Sequence, residues 1–268
     1  MSTLNLVKVR QTVRDDYDEQ SQVTLTDTEL NKIIGLGYID TAVKGLCYER
    51  KIQKTDLPAG RSLVSLMADG VIQVGYIAYN TQAPGAMGRP HIPPTVLGWM
   101  DLEGSTPQGW FRWGDILVIE PPPGVGTYHL DIFAAGYPTT KVGEDITAGA
   151  FVTGTRYVIK TVGSTNFVSV GAASSTVGVE FVATGAGSGD GVAIPISFGE
   201  IKPEMHECVL DFTRAYAACK LKRWGDAGAA YNRYISAVQE KRWEFIHKIP
   251  DPLAARQIPD QVVMEIKQ

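Results

Sequence analysis

The sequence is poor in the residues that build disulfide frameworks and metal centres. Its 268 residues include only four histidines and three cysteines, Cys47, Cys208 and Cys219. An odd number of cysteines without a C-x-x-C pair disfavours both a disulfide framework and a zinc cluster. No histidine has a second histidine at metal-ligand spacing. We therefore expect no metal centre, and the three thiols fit small buried residues in a reducing compartment.

Long apolar runs and excess positive charge are also missing. No stretch approaches the roughly 18 consecutive apolar residues of a membrane span, and no apolar signal-peptide core is visible near the N-terminus. The net charge is −4, so overall charge does not favour binding to DNA or to anionic lipid. With 44% hydrophobic and 20% charged residues, the composition predicts a soluble globular protein that is made inside the cell.

Catalytic motifs are absent from the sequence as well. The glycine-rich stretch at residues 185–191 is followed by Val192 and Ala193, so it lacks the Lys-Ser/Thr pair of a Walker loop. It leads toward a β-like stretch instead of the helix that a dinucleotide loop opens, which favours a tight turn. No G-x-S-x-G nucleophile elbow occurs. We therefore expect that the protein is not an enzyme and has neither catalytic residues nor a cofactor. A cell-wall hydrolase, whose catalytic carboxylates would come from distant parts of the sequence, is a disfavoured alternative.

What the sequence does contain is a helical hairpin between residues 203 and 248. Pro203 fits the first turn of a helix, where its missing N–H is not needed. Apolar residues then follow at spacings of three and four: Met205, Cys208, Val209, Phe212, Tyr216 and Cys219. Gly225 predicts the end of this helix, and a second helix begins near Asp226 and ends at Pro250. Each helix is apolar on one side and needs a covering partner.

The covering partner is predicted at the other end of the chain. Thr26 and Glu29 form the T-x-x-E pattern of a capping box, directly before an apolar-periodic run. Gly35 and Gly37 interrupt that run, and their best use is close packing against another helix. The sequence therefore predicts that residues 1–55 and 195–249 form a four-helix bundle.

The middle of the chain has the character of β structure. Residues 56–145 carry short apolar runs between glycines and prolines, which predicts an antiparallel β domain. Residues 146–194 are nearly free of charge and show β-like stretches at 156–162, 167–170 and 179–183. Deletion of residues 146–194 would leave a continuous smaller domain, so the sequence predicts that these residues form an inserted small β module. We expect residues 250–268 to form an extended tail. The sequence as a whole predicts the α+β fold class.

Two groups of side chains are candidates for contact with a partner. Trp110 and Trp113 are part of an aromatic run that serves either as an exposed platform or as sheet packing. The basic cluster Lys220, Lys222 and Arg223 precedes Trp224 and resembles a nucleic-acid patch. In an acidic protein, the favoured interpretation is that these cations offset the negative end of a helix dipole.

Four stretches of the chain form a recognisable series: LTDTELN at 25–31, WGDILVIEPPP at 113–123, YHLDIFAAGYP at 128–138 and PEMHECVL at 203–210. With the order of elements, they resemble tailed-bacteriophage head-to-tail adaptor (head-completion) proteins. The similarity covers most of the chain outside residues 146–194. The inserted segment is similar to a small β module that recurs in phage virion proteins. That second similarity is carried by YVIKTVGSTNF at 157–167 and ATGAGSG at 183–189.

The resemblance implies a structural protein of the virion neck, at the head–tail interface. It implies a ring, a dodecamer, that binds the portal protein and a tail tube, nozzle or other neck protein. DNA passes through its lumen without sequence-specific binding, and no membrane is involved. Six tail residues are implied to bind the portal or a neighbouring subunit: Pro250, Pro252, Leu253, Ile258, Pro259 and Val262. Five others are implied to contact a subunit or the tail: Trp110, Trp113, Lys220, Lys222 and Arg223.

A competing hypothesis is a carbohydrate- or receptor-binding virion protein. It acts through the β module and the aromatic run that contains Trp110 and Trp113. Binding to a glycan array separates the two hypotheses, since an adaptor has no need of a sugar.

Overall fold

The fold consists of helices and antiparallel sheets in two compact units. The structure is a computed structural model that describes residues 4–19, 24–60, 62–80, 91–95, 104–124 and 126–247. Within these residues, four α-helices and antiparallel sheets confirm the predicted α+β class. The first unit, here called the helical unit, comprises Met1–Gly45 and Pro138–Gln239. The second, the sheet unit, comprises Leu46–Tyr137 and Glu240–Gln268.

The four helices come from the two ends of the chain, as the apolar periodicity predicts. They are α1 (Leu6–Tyr17), α2 (Asp27–Gly45), α3 (His206–Lys220) and α4 (Trp224–His247). One half of the predicted capping box is observed at the start of α2, where the Glu29 N–H donates to Thr26 Oγ1 at 3.3 Å, whereas the Glu29 carboxylate pairs with Lys220 of α3. A short 3₁₀ helix, Pro203–Met205, leads into α3. The last part of α4, from residue 240 onward, groups with the sheet unit.

Helices α1, α2 and α3 contact one another through buried apolar side chains. At Gly37 of α2, an added Cβ would lie 2.7 Å from Cδ1 of Phe212 in α3. The predicted packing of this glycine against another helix is therefore confirmed. For Gly35 that prediction is wrong, because an added Cβ would lie 2.3 Å from the carbonyl oxygen of Val142. Gly35 thus packs on the connecting segment that precedes the β module.

The turn between α3 and α4 differs from the predicted one. Helix α3 ends at Lys220, and Lys222 adopts a left-handed conformation with φ 59°. This allows the Arg223 N–H to donate to the Ala218 carbonyl at 2.8 Å, which closes the end of the helix. Gly225 is therefore not the stop residue but lies in the first turn of α4. As a result, Trp224 begins α4 beside the turn.

The described part of the sheet unit contains two sheets around one core. Its strands are β1 (Glu49–Pro58), β2 (Leu63–Ser65), β3 (Val71–Asn80), β4 (His91–Ile92), β5 (Gly109–Trp113), β6 (Ile116–Glu120) and β7 (Thr127–Gly136). One sheet has the order β1-β7-β3-β4 and the other the order β2-β6-β5. Apolar residues of both sheets pack in the core, including Ile77, Leu117, Ile119, Leu130 and Ile132. This core fixes which face of each sheet points outward.

Residues 146–194 have a hydrophobic core of their own within the helical unit. The strands are β8 (Ile146–Thr147), β9 (Arg156–Thr161), β10 (Glu180–Val182) and β11 (Val192–Pro195), in the order β10-β9-β11-β8. Aromatic rings with centroids 5.1 to 5.9 Å apart fill this core: Phe151, Tyr157, Phe167 and Phe181. Phe167–Val170 forms a 3₁₀ helix and not the predicted strand, because Asn166 caps its start and Gly171, at φ 106°, ends it.

One carboxylate in the helical unit ties α2 to the segment before the β module. Glu200 accepts hydrogen bonds from the backbone N–H of Thr139 at 3.0 Å, the N–H of Thr140 at 2.8 Å and the hydroxyl of Tyr38 at 3.0 Å. Burial raises the pKa of Glu200, but the hydrogen bonds from Thr139, Thr140 and Tyr38 outweigh burial and leave the pKa below its usual value. The charged form is thus favoured in the folded protein.

Glu200→Gln is expected to lower the free energy of unfolding by about 1–3 kcal/mol at pH 7, because charge-assisted hydrogen bonds are lost. The pKa of Glu200 is lower in the folded than in the unfolded state, so its stabilisation is complete above the unfolded pKa. It is lost as the pH falls through the folded pKa. Urea unfolding of both proteins at pH 7 and below about pH 4 measures this. Glu144→Gln is the exposed control, and a pH-independent difference would contradict the assignment.

Candidate assembly surfaces

An apolar groove lies between α3 and α4, next to the turn that joins them. Its volume is about 430 Å³. We call it the hairpin groove, and its principal lining residues are Phe212, Tyr216, Cys219, Trp224, Ala227 and Tyr231. Trp224 is 68% exposed and Tyr231 is 47% exposed. Aromatic side chains that are this accessible are characteristic of protein contact surfaces.

The groove exists because the apolar stripe of α3 is only partly covered. Residues in the first half of that stripe, such as Cys208 and Val209, are buried. Phe212, Tyr216 and Cys219 follow on the same side, where α4 presents the small residues Ala227 and Gly228. Small residues cannot fill the space between aromatic rings, so the second half of the stripe stays open. In the sequence, Tyr231 lies on the apolar side of the second helix, but the structure leaves its side chain 47% exposed.

Tyr234 holds α4 in place beside the groove. Its side chain is fully buried, and its ring packs edge-on against Phe212 of α3 with centroids 5.3 Å apart. Its hydroxyl donates to Asp40 of α2, which also pairs with Lys44 at 2.8 Å. Burial and the carboxylate of Asp40 raise the pKa of Tyr234 far above its usual value. The phenol therefore remains a donor, and α4 is fixed to both α2 and α3.

The predicted basic cluster lies at one end of the hairpin groove. Lys220 pairs with Glu29 of α2, and the guanidinium of Arg223 lies 5.5 Å above the ring of Tyr17 in α1. Lys222 is exposed in the turn. Two of these cations thus bind their own helical unit while the third faces solvent. Lys222 and Arg223 thus place two positive charges in the turn that precedes Trp224.

Trp110 and Trp113 occupy opposite environments. Trp110 is 6% exposed in the core of the sheet unit, where its indole N–H donates to the Ile92 carbonyl at 2.9 Å. Trp113 is 69% exposed at the end of β5. Residues three apart on a strand lie on opposite faces of the sheet. Trp110 therefore belongs to the core, and Trp113 is the one available for contact.

Trp113 is part of an exposed apolar patch, the Trp113 patch, formed by Leu63, Ile116 and Trp113. Trp113 lies opposite Ile116 in the β5–β6 pair. Val64 and Leu117, which follow Leu63 and Ile116 along their strands, point into the core. The patch therefore lies on the outward face of the sheet. Clustered exposed apolar residues mark sites of protein contact more often than single ones do.

Six residues that the resemblance implies as contacts to the portal or to a neighbouring subunit lie outside the described residues: Pro250, Pro252, Leu253, Ile258, Pro259 and Val262.

Within the described ranges, no three His, Cys, Asp or Glu side chains converge as metal ligands. No helix in the described part of the chain is both long and apolar enough to cross a membrane. The hairpin groove and the Trp113 patch are thus two exposed apolar surfaces that lie in different units. No protein-family model matches the chain, and no curated protein matches it with significant similarity.

Proposed function

We propose that this protein is a structural virion component, a head-to-tail adaptor that forms a ring under the portal and continues the DNA channel to the tail. The observation that supports the proposal is the presence of two different apolar surfaces, the hairpin groove and the Trp113 patch, on one chain. Copies of a chain with two different contact surfaces associate heterologously, with one surface of each copy on the other surface of the next copy. Such contacts generate rings when the rotation between copies closes.

The rest of the chain has a place in this proposal. The four helices act together as one bundle, with α4 held by the contacts of Tyr234 with Phe212 and Asp40. Residues 146–194, with their own aromatic core, form a decoration that the ring does not need. In this proposal, residues 250–268 bind the portal. The net charge of −4 suits a channel, because a basic lining would retain passing phosphates.

A carbohydrate- or receptor-binding virion protein is the alternative proposal. The observation that favours it is the exposure of Trp113 beside the apolar side chains of Leu63 and Ile116. Aromatic side chains on a sheet offer a platform on which a sugar ring can stack. Binding to a glycan array that is lost in Trp113→Ala would support this alternative, whereas an adaptor has no need of a sugar.

The mass of the purified protein, alone and mixed with the portal protein of the same phage, tests the adaptor proposal. We expect a ring of many copies, a dodecamer, in complex with the portal. A chain that ends at Ile249 is expected to keep its circular dichroism spectrum and to bind the portal at least about tenfold more weakly. A monomer that does not bind the portal would contradict the adaptor function. Normal portal binding by the shortened chain would contradict the role of the tail.

A further inference from the structure

We infer that the Trp113 patch of one copy docks into the hairpin groove of the neighbouring copy and that this contact links the ring. The inference rests on the proposed ring and identifies its contact surfaces. The occupant of the groove is thus a second copy of this chain. Three observations carry it: the shapes of the two surfaces, their charges, and the fact that they differ from each other.

The two surfaces have complementary shapes. Trp113 projects from the end of β5 and is 69% exposed. Its turn is held by Arg112, whose guanidinium donates to the carbonyls of Gly114 at 2.6 Å, Ile72 at 2.6 Å and Val71 at 2.9 Å. A side chain on such a rigid turn loses little conformational freedom on binding. The hairpin groove, at about 430 Å³, is wide enough for an indole and offers aromatic walls for it.

The charges beside the two surfaces are also complementary. Asp115 lies two residues after Trp113 and its side chain is 64% exposed, whereas its partner Arg112 is 23% exposed. Lys222 and Arg223 directly precede Trp224, which lines the groove, and Asp226 is the acidic residue in the first turn of α4. An indole seated beside Trp224 brings Asp115 toward these cations. Opposite charges at the edge of an apolar contact fix its orientation and disfavour wrong pairings.

The same charges disfavour contacts between identical surfaces. Two Trp113 patches face to face would bring two Asp115 carboxylates together. Two grooves face to face would bring together two copies of Lys222 and Arg223. Patch-to-groove contact avoids both repulsions. It leaves a free patch at one end of every open oligomer and a free groove at the other end. Such contacts continue until the ring closes.

A native thiol in the groove makes the contact directly testable. Cys219 is exposed and lines the groove, whereas Cys47 and Cys208 are buried. Ile116→Cys places a second thiol opposite Trp113 without removing it. Mild oxidation of the full-length variant mixed with portal is expected to give a ladder of covalent multimers on a non-reducing gel. Contact between identical surfaces would stop at dimers.

Three matched proteins control for adventitious disulfides. They are the wild type, in which Cys219 is the exposed thiol, the double variant Ile116→Cys with Cys219→Ser, and Val177→Cys, which places the thiol on the β module. None of them is expected to form the ladder. A ladder in any of these controls would overturn the assignment of the contact.

The contribution of Trp113 to the stability of the ring is tested by removing its indole. Trp113→Ala is expected to weaken ring assembly by about 30-fold or more, as for a central aromatic anchor. Trp243→Ala removes a tryptophan that is 43% exposed elsewhere and should leave assembly unchanged. Asp115→Lys is expected to weaken assembly, and the added change Lys222→Asp should restore most of it. Thermal melting of each variant excludes loss of fold as the cause.

The outcomes separate this inference from the adaptor function. A normal ring on the portal without the ladder overturns the patch-to-groove contact and leaves the adaptor function standing. A ladder without recognition of the portal supports the contact and contradicts the adaptor function. If the ladder disappears when the chain ends at Ile249 while Trp113→Ala assembles normally, the groove binds the tail, which also overturns the inference.

Discussion

Tyr234→Ala is expected to lower the free energy of unfolding by about 3–5 kcal/mol, the usual cost of truncating a large buried aromatic residue. Tyr234 is fully buried and packs on Phe212, and its hydroxyl donates to Asp40. Truncation removes the ring that joins α4 to α3 and leaves a cavity beneath the hairpin groove. The same variant should therefore also weaken the proposed ring assembly, because the groove walls are no longer held together.

Two further substitutions separate the contributions of Tyr234. Tyr234→Phe keeps the ring and removes only the hydroxyl, so it is expected to cost about 1 kcal/mol. Tyr231→Ala changes an exposed tyrosine one turn earlier on α4 and should stay within about 0.5 kcal/mol of the wild type. Urea unfolding followed by circular dichroism measures all three. Equal effects of Tyr234→Ala and Tyr231→Ala would contradict the packing of α4 on α3.

Gly35→Ala is expected to lower the free energy of unfolding by about 3 kcal/mol. Alanine normally favours a helix over glycine by about 1 kcal/mol. At Gly35, however, the added Cβ would lie 2.3 Å from the carbonyl oxygen of Val142. A backbone oxygen cannot move aside as a flexible side chain can, so α2 must separate from the segment that precedes the β module. The loss of that contact outweighs the gain in helix propensity.

A glycine elsewhere in a helix provides the control for Gly35. An added Cβ at Gly228 of α4 meets no atom within 4 Å. Gly228→Ala is therefore expected to raise the free energy of unfolding by about 0.5–1 kcal/mol. The two alanine variants should thus shift the melting temperature in opposite directions. Stabilisation by Gly35→Ala would show that Val142 does not approach α2 as closely as described.

Local sequence signals predicted the elements that form by short-range interactions. The three- and four-residue spacing of apolar residues predicted the helices, and the capping box at Thr26 and Glu29 predicted the start of α2. Each of these signals depends on residues within one or two turns of a helix. A sequence pattern of that length is sufficient, because the interactions it encodes form wherever the helix is placed.

Elements that depend on a distant partner were not predicted in this way. Strand β1 carries mainly charged and polar residues, and it begins at Glu49, inside the segment assigned to the N-terminal helices. It is a strand because it pairs along its length with β7. Two of its side chains also bind a buried carboxylate: Lys51 and Gln53 both contact Asp131 at 2.9 Å. None of these partners lies near β1 in the sequence.

The sequence by itself determined the α+β class, the helices at both ends and the low-charge β module, because composition and periodicity are local properties. Only the tertiary structure decided which aromatic residues are covered. Within β5, Trp110 is buried and Trp113 is exposed; within α4, Tyr234 is buried and Tyr231 is exposed. Exposure depends on what packs against a residue from elsewhere in the chain, and this dependence leaves the hairpin groove and the Trp113 patch accessible.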